Sequence, residues 1–400
     1  MLAERTKRIG VSPTMKVAAE AMRRKAQGVD IVDFGAGEPD FPTPAHVAAA
    51  AHAAIDANFT KYTTNSGTDE LKAAVCARYK TDYGVDYAPA ETIITAGGKQ
   101  ALYNAVMCLF GAGDEVVTHM PGWPTLVEQV KLADATPVIV RTHAEDNFRL
   151  RADALLTAFT PRTRGIIINS PGNPTGALIS EEDMGRVADE CARRGIWVLL
   201  DLCYERLIYD HTPHNLPGVM AGRMRDRTVL CGSSSKAYAM TGWRCGWTLA
   251  PAPLVSACNA LQSHSTSNVC SITQKAAVAA LSGPQDCVTE MLNEYRNRRD
   301  QLCEWLAAEP RLRVLKPEGA FYLFIDVSDC LSPDGLRTTA DMAQALLDEA
   351  RVAITPGEAF DAPGFLRLSY ATSLAELRRG TDRIIQFVRA VDQRPRAVGA

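Results

Sequence analysis

The sequence predicts an α/β fold in which helices cover both faces of a mostly parallel sheet. From about residue 45 to residue 285, short apolar runs alternate with helix-length amphipathic segments. The runs are rich in β-branched and aliphatic residues, which is typical of strands that are buried on both faces. Because parallel strands need long crossover connections, this alternation indicates repeated strand and helix units.

Six of the apolar runs are predicted as strands. They are Thr92–Ala96, Glu115–Thr118, Thr136–Val140, Gly165–Asn169, Ile196–Leu200 and Thr228–Cys231. Helices are predicted between them, for example over residues 98–110 and 180–194. The second of these helices opens with Ser180, three residues before an acidic side chain, in a pattern close to a capping box.

The composition changes after about residue 285, where a long charged helix is predicted. Two strand-like runs then alternate with two helices: Ala320–Ile325, residues 338–350, Phe365–Tyr370 and residues 373–391. We therefore expect a large domain over residues 45–285 and a smaller α+β domain made of residues 1–44 and 286–400. Residues 391–400 are expected to be a frayed tail.

Charge and composition favour small-molecule chemistry. The 400 residues carry 43 basic and 46 acidic side chains, so a net charge of −3 provides no basic surface for nucleic acid. The amino-terminal residues are charged and no segment has about 18 uninterrupted apolar residues, so we expect neither a signal peptide nor a membrane span. Eleven cysteines are scattered singly without a Cys-x-x-Cys pair, which indicates reduced cysteines in a cytoplasm rather than disulfides or zinc.

One segment, from Ser233 to Arg244, combines a lysine, hydroxyls and an arginine. The amine of Lys236 can form a Schiff base with an aldehyde. The hydroxyls of Ser233 and Ser235 and the guanidinium of Arg244 suit a phosphate dianion. Taken alone, the segment fits a serine-rich loop with two solvated cations equally well.

The other candidate residues also follow predicted strands, at the carboxyl ends where ligands sit in open α/β sheets. They are Gly97, Gly98 and Lys99 after the first strand, Trp123 after the second, Asn173 after the fourth, and Asp201 and Tyr204 after the fifth. So many candidate positions at one edge of a sheet favour a single ligand site.

These residues match the needs of pyridoxal 5'-phosphate, which requires an amine, a phosphate cradle, a carboxylate for its ring nitrogen and a donor for its phenolic oxygen. Lys236 supplies the amine, and the helix that opens at Gly98 offers backbone amides to the phosphate. Asp201 follows an apolar strand, where an ion pair at about 4 Å is worth about 4 kcal/mol and keeps the ring nitrogen protonated. An isolated aspartate there also fits a helix cap or a turn.

Tyr204 and Asn173 are the candidate donors to the phenolic oxygen, and Trp123 is a candidate to stack on the ring. Asn173 lies in the sequence Asn-Pro-Thr-Gly, which is also a good turn. A single tryptophan is by itself more typical of a core.

With these motifs in place, the sequence resembles the class I and II, fold type I, pyridoxal-phosphate aminotransferases over essentially its whole length. The resemblance rests on Asn173-Pro-Thr-Gly176, Asp201-x-x-Tyr204, Ser233-x-Ser235-Lys236 and Gly242-x-Arg244, in the order and approximate spacing of the family. It implies a mostly parallel seven-stranded sheet and transfer of an amino group from an amino acid to a 2-oxo acid by a ping-pong mechanism. It also implies that Lys236 is the Schiff-base lysine and proton shuttle, that Asp201 is the partner of the ring nitrogen, and that Arg244 is a phosphate ligand.

The resemblance assigns three further residues. Tyr62 is similar to the tyrosine that reaches the cofactor phosphate of the neighbouring subunit, which implies a homodimer with shared sites. Arg367 resembles the arginine that clamps the substrate α-carboxylate, and Gly37 the glycine whose backbone meets the same carboxylate. A structural tyrosine and a surface arginine are the alternatives.

The closest resemblance is to the bacterial aspartate and aspartate/prephenate aminotransferases. In that subgroup a lysine after the Gly-Gly turn and a Ser-x-Thr segment face the distal carboxylate, and this chain has Lys99, Ser12 and Thr14. Aspartate or glutamate is therefore the expected donor, although Lys99 also fits a solvated residue of a first helical turn. The sequence departs from the subgroup at Leu202, where many members have glutamate, and at Gly172, where asparagine or histidine is common.

Other functional classes fit less well. Ser233-x-x-Lys236 also matches the serine acyl enzymes, but their Ser-Asp-Asn and Lys-Thr-Gly tripeptides do not occur. The Gly-x-Gly sequences lack the third glycine of a nicotinamide site, and a ligand sensor on this fold usually carries a DNA-binding module. A β-eliminating lyase with the same cofactor, and an aminotransferase of aromatic or neutral amino acids or of prephenate, remain open.

Overall fold

The computed structural model describes residues 2, 5–10, 13–333 and 335–391. The strands are β1 (Val32–Asp33), β2 (Thr92–Thr95), β3 (Glu115–Met120), β4 (Thr136–Arg141), β5 (Thr163–Asn169), β6 (Trp197–Asp201), β7 (Thr228–Ser233), β8 (Gly246–Leu249), β9 (Arg313–Val314), β10 (Tyr322–Asp326), β11 (Val352–Ala353), β12 (Thr355–Pro356) and β13 (Phe365–Ser369). The helices are α1 (Arg5–Arg8), α2 (Pro13–Ala26), α3 (Ala45–Asp56), α4 (Asp69–Tyr83), α5 (Gly98–Leu109), α6 (Pro124–Leu132), α7 (Ala152–Thr157), α8 (Glu181–Arg194), α9 (Leu216–Met224), α10 (Ala252–Ser263), α11 (Ser271–Ser282), α12 (Asp286–Leu306), α13 (Thr339–Ala345) and α14 (Leu374–Val391).

Within these ranges, the central sheet has seven strands in the order β2-β8-β7-β6-β5-β3-β4. Strands β3 to β7 are parallel, whereas β8 runs antiparallel to both of its neighbours, β2 and β7. The predicted α/β fold with a mostly parallel seven-stranded sheet is confirmed. The sequence pattern did not reveal β8, because this strand has only four residues and residues 234–245, which separate it from β7, form no helix.

Local sequence explains how the helices near the sheet begin and end. The Oγ of Ser180 accepts a hydrogen bond of 3.0 Å from the amide of Asp183 at the start of α8, and the helix ends at Gly195 in the left-handed conformation. Such residues satisfy the free amides and carbonyls of helix ends. In contrast, the residue before α5 is Gly97, with φ 85° and no side chain to cap the helix, so amides of its first turn are left for a ligand.

A second sheet carries the candidate carboxylate clamp. Its four strands in the described part of the chain are antiparallel and ordered β12-β13-β10-β9, and Arg367 in β13 lies opposite Phe324 in β10. The amino-terminal segment packs with this part of the chain, because β1 pairs with β11 and Asp30 forms ion pairs with Arg379 and Arg383 of α14. The domain boundaries proposed from the sequence remain predictions.

Residues 34–41, which we call the connecting segment, run from the second sheet to the loop that follows β7 of the central sheet. The backbone of Phe34 bonds to β11 and to the end of β13, and the chain after it runs past the loop that follows β7, where Glu38 accepts a hydrogen bond of 2.8 Å from Thr241. No helix among the described residues is long and apolar enough to cross a membrane. Residues 392–400, most of the predicted tail, lie outside the described ranges.

Candidate active site

Lys236 lies three residues beyond the end of β7, at the carboxyl edge of the central sheet. Its Nζ donates a hydrogen bond of 2.5 Å to the carbonyl oxygen of Gly37, so the connecting segment meets the candidate Schiff-base lysine. Burial lowers the pKa of Lys236, and the positive charges of Arg244 and Arg367 act in the same direction. A depressed pKa favours the neutral amine, which is the form that attacks an aldehyde or accepts a proton.

Asp201 is the last residue of β6 and is buried. Its Oδ1 accepts a hydrogen bond of 3.1 Å from the backbone amide of Cys203, while burial raises its pKa to about 6. Lys236 is the cation whose charge acts on this carboxylate, and it opposes the shift only weakly. A buried carboxylate of this kind is stabilised by a protonated nitrogen placed beside it, so Asp201 fits the predicted role of a ring-nitrogen partner.

The phosphate side of the site is built on the turn before α5. A Cβ on Gly97 would lie 2.4 Å from Nη2 of Arg244, so the guanidinium packs where a side chain would otherwise be. Arg244 also donates to two backbone carbonyls, at 2.8 Å and 3.2 Å. A Cβ on Gly246 in β8 would lie 2.5 Å from the amide nitrogen of Gly98. Two close approaches thus hold a cation beside the uncapped amides of α5, which is a fit for a phosphate.

Ser233 and Ser235 lie on either side of a structural serine. Ser233 is buried at the end of β7, and its Oγ would lie 3.7 Å from a Cβ on Gly98, so its hydroxyl lines the entrance to α5. Ser234 instead donates to the carbonyl oxygen of Cys245 at 3.2 Å. Ser235 is buried next to Lys236. The arrangement leaves the Ser233 hydroxyl on the ligand side of β7.

Two of the remaining candidates have defined partners. The hydroxyl of Tyr204 is buried and lies 2.8 Å from the hydroxyl of Tyr322. Asn173 is held by its backbone amide, which donates to Oδ1 of Asn169 at 3.0 Å, and its own Oδ1 accepts from Arg367 at 3.1 Å. Both side chains face the region between the two sheets.

Arg367 is 2% exposed and has no carboxylate partner among the described residues. Besides Asn173, it donates to the carbonyl oxygen of Gly35 at 2.8 Å, and its guanidinium lies 4.5 Å from the ring centre of Tyr322 and 5.0 Å from that of Phe360. Its Nε is buried without a partner in that part of the chain, and burial lowers the pKa of the group. An uncompensated buried cation is costly, and a ligand carboxylate would offset that cost through its two oxygens.

Trp123 and Lys99 form the rim of the cleft. Trp123 is half-buried at the start of α6, and the Nζ of Lys99 lies 5.0 Å above the centre of its ring. Partial desolvation, and then the charge of Arg244, lower the pKa of Lys99. A cavity of about 600 Å³ adjoins this rim; its lining residues include Lys99, Tyr103, Arg244 and Glu128, and the surface that they expose to it is mostly apolar. Lys99 therefore lines a cavity with room for a small ligand group.

One sequence candidate does not join the cleft of its own chain, and two others fall outside the described side chains. The side chain of Tyr62 is 92% exposed, so it does not help to form the cleft of its own chain. Ser12 lies outside the described residues, as does the side chain of Thr14. Their assigned roles remain predictions.

The sequence reasoning missed Tyr322 and His119. Tyr322 lies in a strand that its apolar residues predict, and this pattern gives no sign of a role for its hydroxyl. His119 lies near the carboxyl end of β3, where its Nε2 accepts a hydrogen bond of 3.3 Å from the amide of Asn169, and burial lowers its pKa to about 4. His119 could have been identified as a candidate from the sequence, because it lies at the same edge of the sheet as the other candidates.

Comparison with known proteins extends the resemblance to the whole chain. Residues 29–384 match a family model described as aminotransferase class I and II. An aspartate aminotransferase from Geobacillus stearothermophilus is 40% identical over 389 residues, which is 97% of this chain and 99% of that protein. An aspartate/prephenate aminotransferase from Cereibacter sphaeroides is 40% identical over 96% of this chain and 98% of its own length.

Solved structures give the same result. The crystal structure of the aspartate aminotransferase from Rhizobium meliloti is similar with a TM-score of 0.92 and 39% identity, covering 97% of this chain and 99% of that one. The aspartate aminotransferase from Thermus thermophilus with maleate has a TM-score of 0.90 at 36% identity, covering 96% of this chain and 99% of that one. The similarity therefore includes both sheets and the cleft between them.

Proposed function

This chain belongs to the class I and II aminotransferases, enzymes that move an amino group between an amino acid and a 2-oxo acid, and from that premise we propose its cofactor, substrates and assembly. The cofactor is pyridoxal 5'-phosphate, and the amino donor is aspartate or glutamate. The acceptor is 2-oxoglutarate or oxaloacetate, in a ping-pong mechanism with two half-reactions. One observation carries this proposal. Lys236 donates to Gly37 in a cleft that also contains a buried carboxylate, Asp201, and a buried cation, Arg367, which has no carboxylate partner in the described ranges.

The residues of the cleft suit each part of this cofactor. Lys236 would hold it covalently, Asp201 would face the ring nitrogen, and Arg244 with Ser233 and the first amides of α5 would hold the phosphate. Bound pyridoxal phosphate supplies an aldehyde and an electron-withdrawing pyridinium ring. The raised pKa of Asp201 supports this assignment, because a buried carboxylate with a single backbone donor gains from a cationic partner.

Lys236 is also the group that moves a proton. Because burial lowers the pKa of its ammonium, the amine is available in its neutral form to accept a proton from the substrate α-carbon. The carbonyl oxygen of Gly37 accepts from Nζ and orients the amine toward the cleft. Tyr204, whose hydroxyl lies beside that of Tyr322, and Asn173, whose Oδ1 accepts from Arg367, would be the donors for the phenolic oxygen.

Two cations suit a donor with two carboxylates. Arg367 would bind the α-carboxylate through its forked donors, with Asn173 and the Gly37 backbone beside it. Lys99, at the rim of the 600 Å³ cavity, would face the distal carboxylate. Relatives named aspartate aminotransferase, and a related structure with the dicarboxylate maleate, support this choice of donor.

The assembly that we propose is a homodimer with shared sites. A tyrosine that is 92% exposed in one chain is a candidate to be covered by a second chain. A cavity of about 590 Å³ opens beside Arg244, at the phosphate side, and has room for a side chain from a partner. We assign Tyr62 of each subunit to the phosphate side of the other.

Borohydride reduction and a substrate panel test the proposal together. The purified holoenzyme is reduced, digested and mapped, and we expect the reduced cofactor on Lys236. Label on another lysine, or none, would overturn the cofactor assignment. The same preparation is assayed with amino donors and 2-oxo acids, and with cystathionine and cysteine conjugates; release of pyruvate from the latter without transamination would instead identify a β-eliminating lyase.

A further inference from the structure

Tyr322 lies between the two functional halves of the cleft. It is 1% exposed in β10, and its hydroxyl lies 2.8 Å from that of Tyr204. The face of its ring lies 4.5 Å from the guanidinium of Arg367. One buried side chain thus touches both the candidate donor to the cofactor and the candidate clamp for the substrate.

The connecting segment confines the Tyr322 hydroxyl from a third side. A Cβ on Gly37 would lie 3.1 Å from this oxygen, so a larger residue would press on it. Tyr204 and Phe321 pack edge to face against the same region, with ring centres 5.5 Å apart. Within the described part of the chain, the hydroxyl of Tyr322 therefore has one hydrogen-bond neighbour, which is Tyr204.

The direction of that hydrogen bond follows from the number of protons. Each tyrosine hydroxyl has one proton to donate. If Tyr204 donates its proton to the phenolic oxygen of the cofactor, it has only lone pairs left for Tyr322, so Tyr322 must be the donor between them. Hydrogen bonds in such a chain polarise one another, and a hydroxyl that accepts a bond becomes a stronger donor. Burial raises the pKa of Tyr322, and the positive charge of Arg367 over the ring opposes that rise, which favours donation by the Tyr322 hydroxyl.

We propose that Tyr322 is a positioning residue that holds Tyr204 as a donor to the cofactor and strengthens that donation. This inference rests on the proposed function, because it requires pyridoxal phosphate at Lys236. The phenolic oxygen serves as acceptor both for Tyr204 and for the proton on the nitrogen of Lys236. Weaker donation by Tyr204 therefore leaves the oxygen more available to the lysine proton, and the pH at which that proton dissociates rises.

A second tyrosine pair provides a matched control. The hydroxyls of Tyr370 and Tyr209 lie 3.2 Å apart in the same hydrophobic cluster, and Tyr370 is also fully buried. Both of these hydroxyls also donate to the carbonyl oxygen of Ala320. Removing the hydroxyl of Tyr370 therefore changes a buried tyrosine pair without changing Tyr204.

The test is the pH dependence of the visible absorption of the resting holoenzyme, measured without substrate. Four variants are compared with wild type: Y322F, Y204F, the double variant Y204F/Y322F, and Y370F. For Y322F we expect the midpoint to rise by about 0.3 to 1 pH unit, as the loss of one neutral hydrogen bond predicts. Y204F should raise it further, the double variant should match Y204F, and Y370F should leave it unchanged.

Several outcomes would overturn the inference. An unchanged midpoint in Y322F means that Tyr322 does not act on Tyr204, and a lower midpoint means that Tyr204 donates to Tyr322. If the midpoint pH of the double variant exceeds that of Y204F by the full shift seen in Y322F, Tyr322 acts by a route that does not include Tyr204. A wild-type protein without a visible band that titrates would overturn the proposed function, which is a distinct result. If Y322F does not fold, Y322L also lacks the hydroxyl. Because Y322L removes the ring beside Arg367 as well, it is compared with Y204F/Y322L, and only the part of its effect that disappears in the Y204F background is assigned to Tyr204.

Discussion

The guanidinium of Arg367 donates a hydrogen bond of 3.1 Å to Oδ1 of Asn173, although 194 residues separate the two in the chain. Arg367 belongs to β13 of the second sheet, and Asn173 to the turn after β5 of the central sheet. The candidate carboxylate clamp is therefore oriented by a residue from the candidate cofactor side. Its Nη2 donates to Gly35 and Thr355, so the guanidinium is oriented before a ligand arrives, while its Nε has no partner among the described residues.

This geometry predicts the effect of replacing Arg367 by lysine. A lysine keeps the charge but cannot form two parallel hydrogen bonds to a carboxylate. Loss of one charge-assisted hydrogen bond should lower kcat/KM by roughly 10- to 150-fold, equally for all amino donors, because all carry an α-carboxylate. Steady-state kinetics with aspartate, glutamate and alanine measure the loss. The control is R313K, an exposed arginine on β9 paired with Asp326 and Asp329, which should leave kinetics unchanged. A loss confined to dicarboxylic donors would place Arg367 at the distal carboxylate instead.

Asp201 predicts how the stability of the cofactor-free protein depends on pH. Burial raises its folded pKa from 3.8 to about 6. A raised carboxyl pKa contributes stability below the unfolded pKa, and this contribution is lost as the pH rises through the folded pKa. The neutral D201N variant escapes this loss. Relative to wild type, its free energy of unfolding should therefore be higher at pH 8 than at pH 4, by up to about 3 kcal/mol.

Urea unfolding of the two cofactor-free proteins at pH 4, 6 and 8 measures this difference. The matched control is E205Q, because burial also raises the pKa of Glu205, to about 7, while Tyr79 and Tyr83 donate to its carboxylate away from the candidate site. Both variants should gain stability at high pH, but only D201N should bind pyridoxal phosphate more weakly. Equal cofactor affinity in D201N and wild type would contradict the role assigned to Asp201.

The fold was largely predictable because its signals are local. Alternating apolar runs and amphipathic segments indicated six strands of the central sheet, and their ends differ from the observed ends by at most two residues. β8 was missed because four residues carry too little pattern, and its place is decided by pairing with β2 and β7. Pairing between distant segments has no local signature in the sequence.

Site residues could be predicted where the chain topology alone determines their position. They could not be predicted where their position depends on how the two sheets pack against each other. Asp201 and Lys236 could be placed at one edge because the carboxyl ends of parallel strands meet there. Tyr322 could not, because its role depends on which way β10 faces after the two sheets pack together. The need for glycine at position 246 could not be predicted either. It depends on the close approach of β8 to the turn at Gly98, which leaves no room for a side chain.

If the active sites are shared between subunits, a hybrid dimer of two inactive variants should recover activity. K236A lacks the lysine of its own site, and in the proposed dimer Y62F lacks the hydroxyl that reaches the partner's site. After subunit exchange, a mixed dimer contains one site with both groups intact, so activity per protein should rise above that of either variant alone. Size-exclusion chromatography with differently tagged subunits verifies the exchange. If exchange is complete and activity does not rise, Tyr62 does not complete the site of the other subunit.

Lys99 predicts a change in donor preference rather than a general loss of activity. Its ammonium lies 5.0 Å above the ring of Trp123, at the rim of a largely apolar cavity of about 600 Å³. If it faces the distal carboxylate, K99A removes a charge-assisted hydrogen bond that only dicarboxylic donors make. The loss for aspartate should be on the order of 2–3 kcal/mol, or roughly 30- to 150-fold in kcat/KM, with alanine and phenylalanine nearly unchanged.

The control for this experiment is K80A. It removes an exposed lysine of α4 that pairs with Asp86, and neither residue lines the cavity beside Lys99. It should leave all donors unchanged, so a general effect of net charge can be recognised. An equal loss for aspartate, alanine and phenylalanine in K99A would assign Lys99 to the cofactor phosphate, which is consistent with the charge of Arg244 acting on it. A higher kcat/KM for phenylalanine in K99A would show that the apolar cavity accepts a ring once the ammonium is removed. The ratio of the aspartate and phenylalanine values in K99A and wild type therefore distinguishes a lysine that selects the substrate from one that holds the cofactor.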